Sequence, residues 1–379
     1  RLAEQADQTA WDAYVLSRRE GLAYQLFAWK EAVEAAHGFD CPYFLAEEAG
    51  RIQGVLPLAH IAWPLRPGAL VSLPYCDAAG PLADDPGTAE ALMHAALDYA
   101  RTSRIPEIEL RLPSPAGNPE QRSPGVALSG FAAAGRSEVR YQANQKPGTR
   151  NQKPETRHSE LKKVRMLLSL PESSGVLLDS FKSKVRSQVK KPNRDGLTAS
   201  LGGLELLPDF YPIMCEKMRD LGSPVHSWSW FKAILGSFGS QARCGLVRMP
   251  DGTPAAAGII LLHEQTVSMP WISYRKRFKR LNPNMLLHWT FLEYAADSGY
   301  ELFDLGRSTF GESNYRFKKQ WGAGAKPLHW VRIAARTGEV LPPEPSLGRA
   351  RALAEACFRL LPVPAATFLG SRLRKYIPL

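Results

Sequence analysis

Apolar and polar positions alternate along the chain with two different periods, and these periods predict helices and strands. Apolar residues at three- and four-residue steps predict helices over residues 7–37, 88–102, 208–220, 229–238 and 285–296. Short apolar runs bounded by turn residues predict strands over 43–46, 51–61, 69–82, 107–112, 166–170, 243–249, 255–263, 267–274 and 300–305. The second half has the clearer order, with three strands, a helix and a further strand.

The composition is that of a globular protein with a basic surface. The 379 residues are 44% hydrophobic and 22% charged, and their number favours two or three domains. A net charge of +11 suits a polyanionic partner such as tRNA, a nucleotide sugar or an anionic lipid, without choosing among them. We find no apolar run long enough to span a bilayer and no N-terminal signal peptide, so we expect a cytoplasmic protein.

The cysteines and histidines indicate neither a metal site nor a disulfide framework. The cysteines are scattered without a CxxC pair, and no two of the eight histidines have metal-ligand spacing. This pattern fits a reducing compartment, and we expect no bound metal.

A direct repeat separates the two halves of the chain. Residues 144–150 read NQKPGTR and residues 151–157 read NQKPETR, with almost no apolar side chain to offset the entropy of ordering them. We interpret 134–160 as a flexible insertion between a first domain, 1–133, and a second, 161–335, followed by a helical tail, 336–379. A nucleic-acid-binding arm is the alternative for the repeat.

Polar groups at the ends of predicted strands mark a candidate site. The strand 300–305 contains Asp304, and we expect Gly306 to end it, because glycine takes a positive φ without steric cost. Rigid strand ends often carry ligand-binding groups, although a turn with a solvated patch explains the same residues. The substrate-binding candidates at these ends and turns are Tyr75, Asp77, Tyr274, Arg307, Ser308, Asn314 and Trp321.

His226 stands out among the histidines because Trp228 and Trp230 lie close to it in the sequence. A histidine titrates near neutral pH, so His226 could act as a general base on a substrate. A buried, stacked structural histidine is the alternative.

Positive charge is concentrated in two segments. One is a predicted amphipathic helix over 180–200, and the other is the loop 275–284, which contains five cations and no glycine. Such runs are often solvated faces, but they also suit phosphate groups. The polyanion-binding candidates are Arg186, Lys190, Lys191, Arg275, Arg277 and Arg280.

Residues 303–322, FDLGRSTFGESNYRFKKQWG, resemble the C-terminal signature of the Fem aminoacyl/peptidyl transferases. The shared features are a strand, a glycine turn, a polar loop and an FKK run followed by an aromatic residue and glycine. The resemblance is to FemAB-like proteins found with exosortase/PEP-CTERM and exopolysaccharide loci, and it is strongest over 160–330. It implies an α+β fold of two tandem acetyltransferase-like (GNAT) domains with mixed central sheets, which enclose an interdomain cleft.

The same resemblance implies transfer of an activated acyl group to an amine of a cell-envelope or exopolysaccharide precursor. Lys318 occupies the FKK position that contacts the donor, while Asp304 or Asp77 would orient or deprotonate the acceptor amine. Arg307 would hold an acceptor phosphate or carboxylate. Gln320 and Trp321 replace the Gly-Phe common in that family, which leaves the transferred group open.

The donor predicted by this resemblance is aminoacyl-tRNA or acyl-CoA. CoA-using GNAT enzymes cradle a pyrophosphate on a glycine-rich loop, whereas loop 275–284 has no glycine and Pro283 lacks an N–H group. The loop therefore favours aminoacyl-tRNA. A non-catalytic binding protein on the same fold, or an RNA-binding protein, are the competing functions.

The tail after residue 342 contains a predicted helix over 349–361 and a second short basic helix. We expect the tail to cap the second domain, and peripheral contact with the inner membrane is the alternative.

Overall fold

The computed structural model describes residues 1–63, 66–113, 163–342 and 348–378, so the insertion predicted at 134–160 lies outside the described residues. In the first half the elements are α1 Gln8–Leu16, α2 Phe27–His37, β1 Tyr43–Glu48, β2 Arg51–Pro57, β3 Ala59–Trp63, β4 Arg66–Val71, β5 Leu82–Ala83, α3 Pro86–Thr102 and β6 Glu107–Pro113.

The second half begins at β7 and ends with two helices of the tail. Its elements are β7 Lys163–Ser169, α4 Ser174–Ser180, α5 Ser183–Arg194, β8 Thr198–Gly202, α6 Leu207–Leu221, α7 Trp228–Phe238, β9 Ala242–Arg248, β10 Pro254–His263, β11 Thr266–Tyr274, α8 Pro283–Asp297, β12 Leu302–Thr309, α9 Ser313–Lys319, β13 Gly324–Ala334, β14 Val340–Leu341, α10 Gly348–Leu360 and α11 Val363–Leu373.

Within the described residues, one eleven-stranded sheet runs through both halves in the order β3-β4-β6-β13-β7-β12-β11-β10-β9-β8, with β14 beside β13. The pairs β4–β6 and β11–β12 are parallel, and the other pairs are antiparallel. A smaller sheet has the order β1-β2-β5. The parallel pairs arise because a helix connects their two strands, α3 before β6 and α8 before β12.

Strand β13 belongs to both halves of the large sheet. Its first residues, 324–327, pair with β7, and its later residues, 328–334, pair with β6. The sequence division at 161–335 places all of β13 in the second domain, yet this strand completes the sheet of the first. Backbone hydrogen bonds therefore hold the halves together at the middle of the sheet.

Gly306 kinks β12 without ending it, so the expectation that the strand stops there is wrong. The strand continues to Thr309, and its register against β7 shifts between Asp304 and Arg307. Gly306 has φ of +76°, which is the backbone of a bulge that only glycine adopts freely. Because of the bulge, Arg307 and the residues after it do not have the orientation that they would have in a regular strand.

An aromatic cluster joins α2 of the first half to α7 and β11 of the second. The ring of Trp29 stacks on Trp271 at 6.1 Å with an interplanar angle of 3°, and it meets Trp230 edge-on at 5.3 Å. All three side chains are buried, and each such pair contributes about 0.5–1.5 kcal/mol beyond the burial of its area. The halves therefore share a core at this face, where two lobes facing each other across a cleft were expected.

The tail helices pack against the second half, as the capping alternative requires. A Cβ on Gly370 of α11 would lie 2.9 Å from the backbone nitrogen of Val225, so only glycine allows this approach. A Cβ on Gly222, after α6, would lie even closer to the carbonyl oxygen of Glu355 in α10. None of the described helices has the length and apolar character needed to cross a bilayer.

Candidate functional site

Lys318 lies inside the protein, beside residues from both halves. Its side chain points inward from α9 and is 7% exposed, and Nζ donates a hydrogen bond to the Arg307 carbonyl oxygen at 2.8 Å. Burial lowers the pKa of Lys318 to about 8, although the carboxylates of Asp304 and Asp77 act in the opposite direction. The ammonium group can therefore exchange its proton close to neutral pH.

The bulge at Gly306 leaves a small space in front of Lys318. A Cβ at this position would lie 3.5 Å from the Met269 carbonyl oxygen, 3.8 Å from Lys318 Nζ and 3.9 Å from Asp77 Oδ2. An ammonium group, a carboxylate and a backbone carbonyl thus surround one point, and any side chain at residue 306 would occupy it.

Asp77 and Arg307 connect the halves at this point. The backbone N–H of Arg307 donates to Asp77 Oδ2 at 3.0 Å, and Arg307 Nε lies 3.4 Å from Asp77 Oδ1. The guanidinium carbon of Arg307 is 5.2 Å from the centre of the Trp330 ring, and Trp330 Nε1 donates to the Asp77 carbonyl oxygen. Three contacts therefore fix the direction of Arg307, as a residue that binds an anionic group requires.

Asp304 is buried in an ion pair and in a hydrogen bond to the backbone. Arg165 Nε, on β7, donates to Asp304 Oδ2 at 2.6 Å, and the Gly306 N–H donates to Oδ1 at 2.8 Å. Burial lowers the pKa of the Arg165 guanidinium, but the charge of Asp304 and its hydrogen bond have the larger combined effect. The pKa is therefore raised. Both oxygens of Asp304 are engaged, so this residue holds the bulge in shape.

The C-terminal segment packs against Tyr75 and His226. Tyr75 has φ of +66°; its N–H donates to the Pro378 carbonyl oxygen at 2.7 Å and its hydroxyl to the Lys375 carbonyl oxygen at 2.6 Å. Arg374 Nε donates to His226 Nε2 at 3.2 Å, and burial lowers the pKa of His226 well below its ordinary value. These contacts match the structural alternative for His226.

The other substrate-binding candidates occupy varied positions. Ser308 is buried, and its hydroxyl has no hydrogen-bond partner among the described residues. Asn314 is exposed on α9, and Tyr274 lies at the end of β11 under the ammonium of Lys217. Trp321 is fully buried and stacks on His288 at 5.8 Å, so in this structure it is a core residue.

The cationic candidates lie on α5 and in the turn before α8. Arg186 and Lys190 line a surface hollow of about 560 Å³ together with Ser187, Asn193 and Arg194. Lys191 instead pairs with Asp195, and the loop residue Arg275 pairs with Glu216.

Arg277 and Arg280 are exposed in the turn before α8. The turn Lys276–Leu281 is a 3-10 helix, after which Asn282 adopts φ of +55° and Pro283 begins α8. The start of α8 therefore presents side-chain cations beside a residue that lacks an N–H group.

Strands β11 and β12 are paired only at their beginnings. Residues 266–268 face 302–304 in parallel register, and no further pairing between the two strands follows. Ser268, which forms the last of these pairs with Asp304, is buried, and its hydroxyl has no partner among the described residues. Beyond this pair the two strands are not paired with each other, up to Tyr274 of β11 and Thr309 of β12, and the bulge at Gly306 lies in this unpaired stretch.

Two buried arginines near the site were not predicted from the sequence. Arg165 holds Asp304, and Arg111 is 1% exposed and donates to the carbonyl oxygens of Leu73 and Cys76 at 2.9 and 3.0 Å. Each is a single arginine within a short apolar strand, EIELRLP or KVRMLLS. An arginine among the apolar residues of a short strand is the signal that could have identified both, because a buried charge requires a partner.

Part of the chain matches a known domain family. Residues 180–319 match the family model of the acetyltransferase (GNAT) domain. The search of curated proteins gave no match.

Among solved structures, the crystal structure of FemX is similar with a TM-score of 0.66 and 16% identity, over 86% of this chain and 95% of that one. The C-terminal domain of a putative lysylphosphatidylglycerol synthetase from Agrobacterium fabrum gives 0.53 and 14%, over 98% and 97% of the two chains. The structure of L-PGS from Bacillus licheniformis gives 0.50 and 12%, over 91% and 95%.

These likenesses confirm the predicted fold, GNAT-like with mixed sheets and a helical C-terminal region. Residues 180–319 are a GNAT-type acyltransferase domain, and they contain β12, the bulge at Gly306 and Lys318.

Proposed function

We propose that this protein transfers an activated acyl group to an amine at the space in front of Lys318. The observation that carries the proposal is the burial of this lysine between Asp77 of the first half and Arg307 of the second. A buried lysine is costly unless its charge or its proton is used, and lysines with lowered pKa values cluster at functional sites.

The reaction forms a C–N bond and breaks an ester or thioester bond. The amine nitrogen attacks the acyl carbon, the carbonyl electron pair moves to oxygen, and the resulting oxyanion expels the alkoxide or thiolate. Lys318 in its ammonium form donates a hydrogen bond to this developing negative charge. With a pKa of about 8 it also gives a proton to the leaving group more readily than an exposed lysine does.

Two carboxylates have different roles in this proposal. Asp77 faces the space and orients or deprotonates the acceptor amine, since it is partly accessible with a side-chain exposure of 21%. Asp304 is a positioning residue, because it keeps the bulge and therefore Arg307 in place. Arg307 binds a phosphate or carboxylate of the acceptor, which we take to be a cell-envelope or exopolysaccharide precursor in the cytoplasm.

For the donor we propose aminoacyl-tRNA, with acyl-CoA as the alternative. Exposed cations on the turn before α8 and on α5 support a large, loosely held polyanion. The unpaired stretch between β11 and β12 offers a path for the acylated end of either donor toward Gly306. The link to exosortase/PEP-CTERM loci stays a prediction of the sequence.

To test this proposal, the purified protein is incubated with amine acceptors and either acyl-CoA or charged tRNA. The loss of the acyl group from each donor is then measured. Lys318→Ala should slow transfer by about 100-fold or more, the range for removing one donor to an oxyanion. Lys319→Ala is the matched control, since Lys319 is the exposed neighbour on the same helix, and it should retain activity. Full transfer activity in Lys318→Ala would overturn the proposed role.

A non-catalytic binding protein is the second candidate, and the C-terminal segment favours it. Arg374, Lys375 and Pro378 cover Tyr75, which we expected to face a substrate. If the protein only binds, neither donor loses its acyl group with any acceptor. An anionic precursor still binds, and Arg307→Ala abolishes that binding.

A further inference from the structure

The tail presents apolar side chains outward. On α10, Leu353 and Leu360 lie seven residues apart on one stripe with Cys357 between them, and Leu360 is 86% exposed. On α11, Phe368 is 58% exposed, and Leu369 and Leu373 are exposed beside it. We call these six residues the tail face. All six are exposed side chains on two consecutive helices.

Other residues of the two helices make the packing contacts. Ala366 and Gly370 of α11 are buried, and Gly370 meets the backbone of Val225. On α10, Arg359 donates to the Leu221 carbonyl oxygen at 3.2 Å. The tail face is therefore not needed to attach the tail, and its apolar groups remain available to a partner.

Positive charge accompanies the tail face. Residues 348–378 contain six arginines and lysines and one acid, Glu355. Arg374 is not part of the tail face, because it contacts His226 and Tyr75. The guanidinium carbon of Arg372 lies 3.6 Å from the centre of the Phe368 ring, so a cation sits directly at the apolar surface. This combination of exposed apolar side chains and cations is typical of helices that lie in the plane of a membrane surface.

We propose that the tail face docks on an anionic lipid bilayer, with α10 and α11 lying along its surface. The apolar side chains enter the boundary between headgroups and acyl chains, and the cations meet the anionic headgroups. A second copy of the chain fits less well, because a symmetric contact would bring the same cations together without acids to neutralise them. The inference does not depend on acyl transfer.

Binding of the full-length chain to vesicles is measured by flotation. One set of vesicles is phosphatidylcholine with about 30% phosphatidylglycerol, and the other is phosphatidylcholine alone. The test variant is Leu360→Glu with Phe368→Glu. The matched control is Val176→Glu with Leu204→Glu, which changes two exposed apolar residues outside the tail by the same charge. Melting temperatures and light scattering establish that each variant is folded and report its oligomeric state.

We expect the native chain and the control to bind the anionic vesicles, and the test variant to partition at least about tenfold less, with binding weakened by salt. Equal binding of both double variants would overturn the proposal, as would equal binding to neutral vesicles. A dimer that dissociates in the test variant, with no vesicle binding by the native chain, would assign the tail face to a second copy.

Discussion

The carboxylate of Asp77 accepts the backbone N–H of Arg307 at 3.0 Å, across the boundary between the two halves of the chain. The carbonyl oxygen of the same Arg307 accepts the ammonium of Lys318 at 2.8 Å. One residue of β12 thus connects a carboxylate from the first half to a lysine from the second. The candidate site exists only where both halves meet.

Asp77→Asn should lower kcat/KM by about 10- to 100-fold, because the amide still accepts the Arg307 N–H but can neither pair with the guanidinium nor take a proton. Steady-state kinetics with varied acceptor would measure it, and the acceptor KM should rise. Asp98→Asn, at an exposed carboxylate on α3, is the control. Equal kinetics in the two variants would remove Asp77 from the site.

Lys318→Met should stabilise the protein while slowing transfer by about 100-fold or more, as Lys318→Ala does. Because burial lowers the pKa of Lys318 from 10.5 to about 8 in the folded state, charging it opposes folding below pH 8. Removing the group should therefore raise the free energy of unfolding by about 1–3 kcal/mol at pH 7. Urea unfolding at pH 7 and pH 10 would measure it. The gain should shrink at pH 10, and a destabilised variant at pH 7 would contradict the prediction.

The pH dependence of kcat/KM should fall on the alkaline side with a midpoint near pH 8, where Lys318 loses the proton that stabilises the oxyanion. Lys318→Arg keeps its charge throughout this range, so it should lose the alkaline fall even though its activity is lower. Rate profiles from pH 6 to 10 would show this. Activity that rises through pH 8 and then stays level would instead indicate that neutral Lys318 acts as a base.

Asp304→Asn should destabilise the protein by about 3–5 kcal/mol, because it leaves the buried guanidinium of Arg165 without its counter-charge. Denaturant unfolding would measure this loss. Asp304→Asn with Arg165→Met should recover part of it, since the unpaired charge is then gone. Unchanged stability with lost activity would return Asp304 to a direct part in proton transfer.

Arg186→Gln with Lys190→Gln should weaken binding of tRNA and lower the slope of log K against log salt by about 1.4–1.8. Acyl-CoA binding should change little. The matched control is Arg51→Gln with Arg336→Gln, two exposed arginines outside the hollow on α5. Filter binding at several salt concentrations would compare the variants, and identical slopes would exclude the hollow from donor binding.

Periodicity was sufficient for most elements, because a helix or strand that buries one face shows it in the sequence. Helix α8 was predicted at 285–296 and is Pro283–Asp297, and β10 was predicted at 255–263 and is Pro254–His263. Short elements that depend on tertiary contacts were less accessible. Helix α9 has seven mostly polar residues, and it was interpreted as a turn followed by a basic run.

The site was only partly predictable for a related reason. The family resemblance indicated Lys318, and the chemistry of the guanidinium group indicated Arg307. In the structure Lys318 donates to the carbonyl oxygen of Arg307, whose N–H donates to Asp77. The partner of Asp304 is Arg165, and this pairing depends on β7 lying next to β12. The order of strands in a sheet is a long-range property that local patterns do not contain.

The strand β13 makes the middle of the molecule indivisible. A hinge between the halves would have to break hydrogen bonds to β7 on one side or to β6 on the other. Substrates must therefore enter a site that is already formed when they bind. Any movement that admits them must occur in the loops around the site or in the C-terminal segment. In a chain cut before β13, strand β6 of the first half would become an exposed edge strand, which could pair with other molecules.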